Sequence, residues 1–187
     1  MTSHDPDDRL ANLLGALVLA LSDEINAATE VASGYSGSAS AALVALHDLL
    51  RGRSVNDLRN AVDLTHSGGV RLVDRLVTDG LATRHPGADA RSVSLTLTTS
   101  GRRVAARTRE ARGDVLRRAL AGLSARERVQ LTAITEKLID AVVDERLEAR
   151  AHGQVPPGGW LCRLCDPVAC GRPDGECPAA IASSRPR

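Results

Sequence analysis

Apolar residues at helical spacing predict a short helix over residues 54–63. Its inner face is formed by Leu58, Ala61 and Val62. The hydroxyl of Ser54 is suited to accept a hydrogen bond from an early backbone N–H, and Asp57 is favourable close to a helix N-terminus. The residues Asp63 to Thr65 are expected to turn the chain sharply after this helix.

A second apolar stripe predicts a longer helix that begins after Thr65 and runs to about Asp79. Thr65 is a good N-cap, and Gly80 is expected to end the helix as a left-handed C-cap. The predicted inner residues are Val70, Val73, Leu76 and Val77. The opposite face stacks Ser67, Arg71 and Arg75 at intervals of four residues. This face suits a helix that reads the major groove, because arginine can donate two parallel hydrogen bonds to guanine.

Alternation replaces helical spacing after Leu81 and predicts a β-hairpin. One strand is Ala82 to Arg84, and the other carries three apolar residues that alternate with polar ones, Val93, Leu95 and Leu97. The tip, residues 86–89, has the composition of a turn. Three basic side chains decorate the hairpin, Arg84, His85 and Arg91. A basic hairpin beside a reading helix is well placed to contact phosphates or a minor groove.

Over residues 8–148 the chain resembles the MarR (multiple antibiotic resistance regulator) family of bacterial winged-helix transcription regulators. The segments that carry the resemblance are LVDRLVTDGLATRH, the wing motif Asp89-x-Arg91 and LTLTTSG. The resemblance implies that Asp89 braces the wing and that Arg91 reaches the minor groove. The chain departs from the family at Gly68-Gly69, where family members usually have side chains that touch bases. Together with the pattern, it gives a predicted DNA-contact set of His66, Ser67, Arg71, Arg75, Arg84, Asp89 and Arg91.

The expected fold class is therefore mainly α with a small β wing, a winged helix-turn-helix domain on a dimerisation stem of N- and C-terminal helices. The two predicted helices over residues 54–79 are called the reader below. Two apolar stripes, over residues 10–25 and 129–143, are too long for this small unit to cover. The resemblance implies that the terminal helices of two chains pair as a homodimer. A two-fold dimer predicts a pseudo-palindromic operator in double-stranded DNA.

Charge is concentrated where the reader and the wing are predicted. Residues 51–121 carry 14 arginines against 7 acidic residues, whereas the whole chain has a net charge of only +1. This asymmetry is expected of a surface that contacts phosphate. The longest apolar stretch, residues 10–21, is judged too short to span a bilayer and lacks a positive leader, so we expect a cytoplasmic protein with no membrane partner.

The C-terminal region holds all four cysteines of the chain, Cys162, Cys165, Cys170 and Cys177. Four thiols so close together in a cytoplasmic protein favour a metal over structural disulfides. The first pair is spaced to clasp an ion, and turn formers allow the second pair to complete a tetrahedron. The spacing is similar to that of compact zinc knuckles, and Arg163 and Arg172 could offset the thiolate charge.

Zinc is the first candidate cofactor, and an iron–sulfur cluster is the main alternative, since Cys177-Pro178 is typical of some ferredoxin runs. Free redox-active thiols or a disordered tail are the remaining alternatives. The predicted organisation is a regulator domain at 1–150, a linker at 151–159, a four-cysteine unit at 160–178 and a disordered C-terminus at 179–187.

No nucleophile–base pair or paired carboxylates stand out, so an enzyme is not expected. The sequence predicts a homodimeric, sequence-specific transcription regulator, more typically a repressor, that responds to a small molecule, a metal or a redox signal. The alternatives are a thiol or metal redox protein and a zinc-knuckle interaction module.

Overall fold

The structure, a computed structural model, describes residues 5–87 and 93–185. Its helices are α1 (Pro6–Ser33), α2 (Ser38–Asp48), α3 (Val55–Ala61), α4 (His66–Thr78), α5 (Thr99–Ala119), α6 (Ala125–Ala151) and α7 (Pro178–Ser183). Two strands, β1 (Ala82–Pro86) and β2 (Val93–Leu97), separate α4 from α5. The described residues are thus mainly helical with one small sheet, which confirms the predicted fold class.

The predicted capping groups explain where the helices begin and end. At α3, the Ser54 hydroxyl accepts a hydrogen bond from the Asp57 amide at 3.1 Å, and the Asp57 carboxylate accepts one from the Ser54 amide at 3.1 Å. At α4, the Thr65 hydroxyl accepts from the Gly68 amide at 3.1 Å. Gly80 follows α4 in the left-handed region. Local sequence therefore determines the limits of both helices of the reader.

The antiparallel hairpin is joined to the segment before α3. In the hairpin, Ala82 lies opposite Leu97 and Pro86 lies opposite Val93. The Gly52 amide donates to the Leu95 carbonyl at 3.1 Å, and the Leu95 amide donates to the Arg53 carbonyl at 3.0 Å. These bonds and an isolated antiparallel bridge between Ser54 and Ser94 tie residues 52–54 to β2, so the hairpin and the segment before α3 form one unit.

The core lies around α2, whose residues 40–46 are buried. The helices α1 and α5 pack along each other, and α5 also packs on α2. The inner residues of α4 are Gly69, Leu72, Val73 and Leu76. Leu72 therefore takes the place predicted for Val70, which is 37% exposed. The stripe still has helical spacing, but it is rotated relative to the prediction.

Long apolar faces of α1 and α6 remain exposed in the single chain. On α1, Leu13 and Leu17 are 51% and 52% exposed, and on α6 Ile134 and Leu138 are 53% and 48% exposed. Among the described elements, α6 packs extensively only against α7, and Val143 is the only residue of α6 that is buried. Both stripes thus lack a cover within the described chain.

By length and composition alone, α1 is apolar enough to cross a membrane. The helix that passes this test, Pro6–Ser33, is longer than the apolar stretch at residues 10–21 considered in the sequence. The same properties occur in helices that are buried in soluble proteins or assemblies.

The C-terminal region differs from its prediction at two points. Residues 155–160 do not hang free as a linker but lie on the turn between α3 and α4, as described below. The C-terminus predicted as disordered from residue 179 contains α7, whose Ala182 is fully buried. Composition suggested flexibility there because it does not report on contacts made with distant residues.

Candidate nucleic-acid interface and cysteine tail

The outward face of α4 presents the predicted contact residues to solvent. Four of the predicted contact residues are exposed along it, His66, Ser67, Arg71 and Arg75. They are held outward because the opposite side of the helix is anchored by Leu72, Val73 and Leu76. The helix is thus presented as an exposed rod beside the hairpin, which is the arrangement that a DNA groove accepts.

The two arginines of this face have different environments. Among the described residues, Arg71 has no hydrogen-bond or ion-pair partner. In contrast, the Arg75 guanidinium lies 4.6 Å from the centre of the Tyr35 ring, and its Nε atom lies 3.7 Å from an Asp79 carboxylate oxygen. Arg71 is therefore the freer of the two for contact with bases, while Arg75 is held by a cation–π contact.

Tyr35 connects the end of α4 to the segment that follows α1. Its phenol donates a hydrogen bond to Asp79. Burial, together with the hydrogen bond to Asp79, raises the pKa of Tyr35 to about 12. The phenol is therefore neutral over the physiological range and acts as a fixed donor.

The wing carries polar side chains that brace it against the reader. Arg84 forms an ion pair with Asp74 of α4. His85 Nε2 is 2.9 Å from the Thr83 hydroxyl and 2.8 Å from the Thr96 hydroxyl. Arg84 thus links the hairpin to α4. The predicted wing-tip residues Asp89 and Arg91 lie outside the described residues.

The unusual Gly68-Gly69 pair has a packing explanation. A Cβ atom on Gly69 would lie 2.9 Å from the Cβ of Arg59 on α3. Gly69 therefore permits α3 and α4 to cross closely, which a larger residue would prevent. The glycine at position 69 thus allows a compact pair of helices.

A strap, residues 155–160, lies across the turn between α3 and α4. The Trp160 amide donates to the Ala61 carbonyl at 2.8 Å, and the Gly158 amide donates to the Asp63 carboxylate at 2.8 Å. Asp63 itself has a φ of 55°, which is rare outside glycine. The strap therefore supports a strained turn that directly precedes α4.

The strap is also bonded to α6. The segment that follows it, residues 161–185, is called the tail and is anchored nearby. The Arg146 guanidinium donates to the carbonyls of Pro157 and Gly159. Arg109 of α5 lies 2.8 Å from Asp48 and 3.6 Å from Asp166 of the tail. These contacts join α6, the tail and the reader. The sequence pattern did not identify Arg146 or Trp160, although a lone tryptophan after Pro-Pro-Gly-Gly is a signal of docking.

The four cysteines form two neighbouring pairs with free thiols. Cys162 and Cys165 are near enough to shift each other's pKa, and burial together with Cys177 raises the pKa of Cys170. Each pair also feels the charge of the other, between Cys162 and Cys177 and between Cys165 and Cys170. Cys177 is buried, and the other three are partly exposed. The turns that bring the pairs together include a bond from the Cys165 amide to the Cys162 carbonyl at 2.9 Å.

The two thiols at the start of the tail shift each other's pKa in opposite directions. The hydrogen bond from Cys162 lowers the pKa of Cys165, and the positive charges of Arg112, Arg172 and Arg163 lower it further. The same hydrogen bond and burial raise the pKa of Cys162. Within residues 5–87 and 93–185, no group of three or more Cys, His, Asp or Glu side chains is arranged to hold a metal ion. The thiols are thus close enough to interact, but they do not form a ready coordination sphere.

Comparison by sequence gives no relative, because no protein-family model matches the chain and no curated protein matches it. Comparison with solved structures does give similar folds. The YusO protein of Bacillus subtilis is 22% identical with a TM-score of 0.61, over 72% of this chain and 97% of that chain.

Structures of two further proteins carry descriptions of function. MepR, a transcription regulator of the Staphylococcus aureus multidrug efflux pump MepA, is 20% identical with a TM-score of 0.61, over 71% of this chain and 97% of its own. A mutant of MepR has been crystallised with an oligodeoxyribonucleotide. A MarR family protein of Mycobacterium tuberculosis in complex with p-aminosalicylic acid is 25% identical with a TM-score of 0.52, over 69% of this chain and 97% of its own. The fold is therefore the winged helix of MarR-type regulators.

Proposed function

We propose that this chain is a DNA-binding transcription regulator of the MarR type, with α4 as the reading helix. The main support is the exposed face of α4 beside the wing, on which Arg71 has no partner among the described residues. The local excess of arginine over residues 51–121 would attract phosphate. The similar structures include transcription regulators and a complex with DNA. None of these observations favours an enzyme.

Arg71→Ala is expected to weaken binding to a preferred DNA site by about 1–3 kcal/mol and to relax base choice at one position. The reason is that alanine removes the unpaired guanidinium that faces the groove. The measurement is a titration of the purified protein with a duplex selected from random sequences, at physiological salt.

The matched control is Arg126→Ala, an exposed arginine on α6 away from the reader. It should leave affinity for the selected duplex close to that of the parent. Equal affinity of the Arg71→Ala protein and the parent would show that α4 does not read DNA in the proposed way.

The active form is proposed to be a homodimer on a pseudo-palindromic operator. The support is the pair of exposed apolar faces on α1 and α6, which are at opposite ends of the sequence and have no cover within the described chain. Burying such faces against a second copy would remove a large apolar area from water. Two readers would then face successive turns of the duplex.

Leu17→Glu is expected to shift the dimer toward monomer, with a dissociation constant raised by at least about tenfold, because a buried carboxylate without a partner is unfavourable. Sedimentation velocity at micromolar concentration measures this shift. Val168→Glu is the control, since Val168 is 77% exposed on the tail and away from both stripes. A parent protein that sediments as a monomer while keeping its helicity would contradict the proposal.

The four cysteines are proposed to bind one metal centre, zinc in the first instance and an iron–sulfur cluster as the alternative. The support is the close approach of two thiol pairs in a segment that has few large apolar residues of its own. Arg172 lies 3.9 Å from the Cys162 sulfur and would offset part of the thiolate charge. A metal would supply the convergence that the free thiols lack.

Protein purified without chelator under reducing, oxygen-free conditions is expected to contain one zinc ion or one iron–sulfur cluster per chain. Replacing any one of the four cysteines by serine should release it, because the ligands act as a set. Elemental analysis and the visible absorption spectrum measure the content. Val168→Ser is the control, because Val168 lies in the same segment but is not one of the proposed ligands. This variant should keep the metal. Parent protein with neither zinc nor iron would refute the metal proposal and leave the thiols for redox chemistry.

A cytoplasmic location and a response to a small molecule, a metal or a redox change complete the proposed function. The similar structures are those of transcription regulators, which act where DNA is found, and one of them holds a small molecule. A pure redox protein or an interaction module would leave the exposed face of α4 and its arginines without a role.

A further inference from the structure

A cavity of about 250 Å³ lies between α6 and the tail. Its apolar lining includes Val143 and Leu147 of α6, Trp160 and Leu161 after the linker, and Ala180 of α7. The sequence after α6 supplies most of this lining. The cavity is smaller than those that hold drug-sized molecules, so it suits a small ligand.

Three arginines line this apolar cavity, Arg146, Arg150 and Arg172. No aspartate or glutamate is among the described residues that line it. Burial lowers the pKa of Arg146, and the positive charges of Arg150 and Arg163 lower it further, with Asp63 acting in the opposite direction. Cys162 also lines the cavity, and Arg172 lies 3.9 Å from its sulfur, so the positive charge available to an anion is that of Arg146 and Arg150.

We propose that this cavity binds a small organic carboxylate, with the carboxylate on Arg146 and Arg150 and the apolar body against Val143, Leu147 and Trp160. Guanidinium groups suit this ligand because their planar donors match a carboxylate. An inorganic anion fits the cavity less well, because it would leave the apolar walls without contact.

Ligand binding would reach the reader through the strap. Arg146 donates to the carbonyls of Pro157 and Gly159, and the neighbouring amides of Gly158 and Trp160 bond to the turn before α4. A bound carboxylate competes for the same guanidinium. Its occupancy therefore alters how firmly the strap holds the turn. Binding of the carboxylate does not depend on the proposed function. Only its effect on DNA binding rests on that function.

Benzoate is the probe, and the uncharged benzamide is its control for apolar contact alone. Calorimetry on the full chain, as purified under reducing conditions and without DNA, should show one benzoate bound per chain at millimolar concentration. Benzamide should bind at least about tenfold more weakly, because it lacks the charge.

Arg150→Gln and Ala180→Leu should each weaken benzoate binding by at least about tenfold, the first by removing a cation and the second by filling the cavity. Arg146→Gln should also weaken benzoate binding. Because this variant loses the bonds to the strap as well, the conclusion rests on Arg150→Gln and Ala180→Leu. Arg126→Gln, on the same helix but away from the cavity, should bind like the parent. Absence of benzoate binding at millimolar concentration, or binding that is unchanged in both Arg150→Gln and Ala180→Leu, would overturn the proposal. Since DNA is absent, a failure of the proposed DNA binding would not affect this result.

Discussion

Gly101→Ala is expected to destabilise the protein by about 3 kcal/mol and to loosen the wing. A Cβ atom at this position would lie 1.9 Å from the carbonyl oxygen of Leu81, a backbone atom that cannot rotate away. The same place is fastened by bonds from the Thr98 amide to the Leu81 carbonyl and from the Thr98 hydroxyl to the Gly80 carbonyl. The start of α5 must therefore separate from the base of the hairpin.

Urea unfolding followed by circular dichroism measures this loss, and a titration with DNA should show weaker binding because the wing is displaced. Gly113→Ala is the control in the same helix. There the nearest atom to the added Cβ is an Arg117 guanidinium nitrogen at 3.0 Å, the far end of a flexible side chain. This variant should be neutral or up to about 1 kcal/mol more stable, because alanine favours a helix. Similar stability of the two variants would show that the close approach at Gly101 is not required.

The limits of the reader helices follow from the sequence because they depend on residues a few positions apart. Ser54 with Asp57, Thr65 and Gly80 are recognisable from their side chains alone. The alternation that predicts the hairpin is equally local. These interactions form within one turn of chain and need no knowledge of distant partners.

Contacts between distant segments explain what the sequence did not predict. The glycines at 69, 101 and 159 are set by a backbone or side chain that approaches from elsewhere in the fold. Arg75 has the spacing of a DNA contact, yet it stacks on Tyr35, which is 40 residues earlier in the chain. Residues 155–160 have the composition of a linker, but their partners are Ala61 and Asp63. Composition and periodicity carry no information about such pairs.

The position of the candidate site was therefore predictable from the sequence, but the partners of its side chains were not. Ser67 and Arg71 lie on the exposed face as the spacing indicates. The pairing of Arg84 with Asp74 instead brings the wing to α4, so Arg84 is committed to a protein contact. The four cysteines are close in sequence, and their approach in pairs agrees with that spacing.

Gly159→Ala is expected to detach the strap from the reader. Glycine at this position has a φ of 67°, and an added Cβ would lie 2.3 Å from the Ala61 carbonyl oxygen, which accepts the Trp160 amide. Moving away breaks that bond and the bond from the Gly158 amide to the Asp63 carboxylate. Two hydrogen bonds at about 1 kcal/mol each correspond to a roughly thirtyfold loss of hydrogen-exchange protection at the Trp160 amide.

The chain has one tryptophan, so its fluorescence reports on the strap directly. In Gly159→Ala the Trp160 emission should shift to longer wavelength and become easier to quench, as the indole leaves its contacts. Gly158→Ala is the matched control, because Gly158 also has a positive φ, 83°, but an added Cβ there meets no atom within 4 Å. Both variants carry the cost of alanine in the left-handed region, and only Gly159→Ala carries the collision. A parent-like emission spectrum in Gly159→Ala, or an equal shift in both variants, would show that the strap is not held by its contact with the turn before α4.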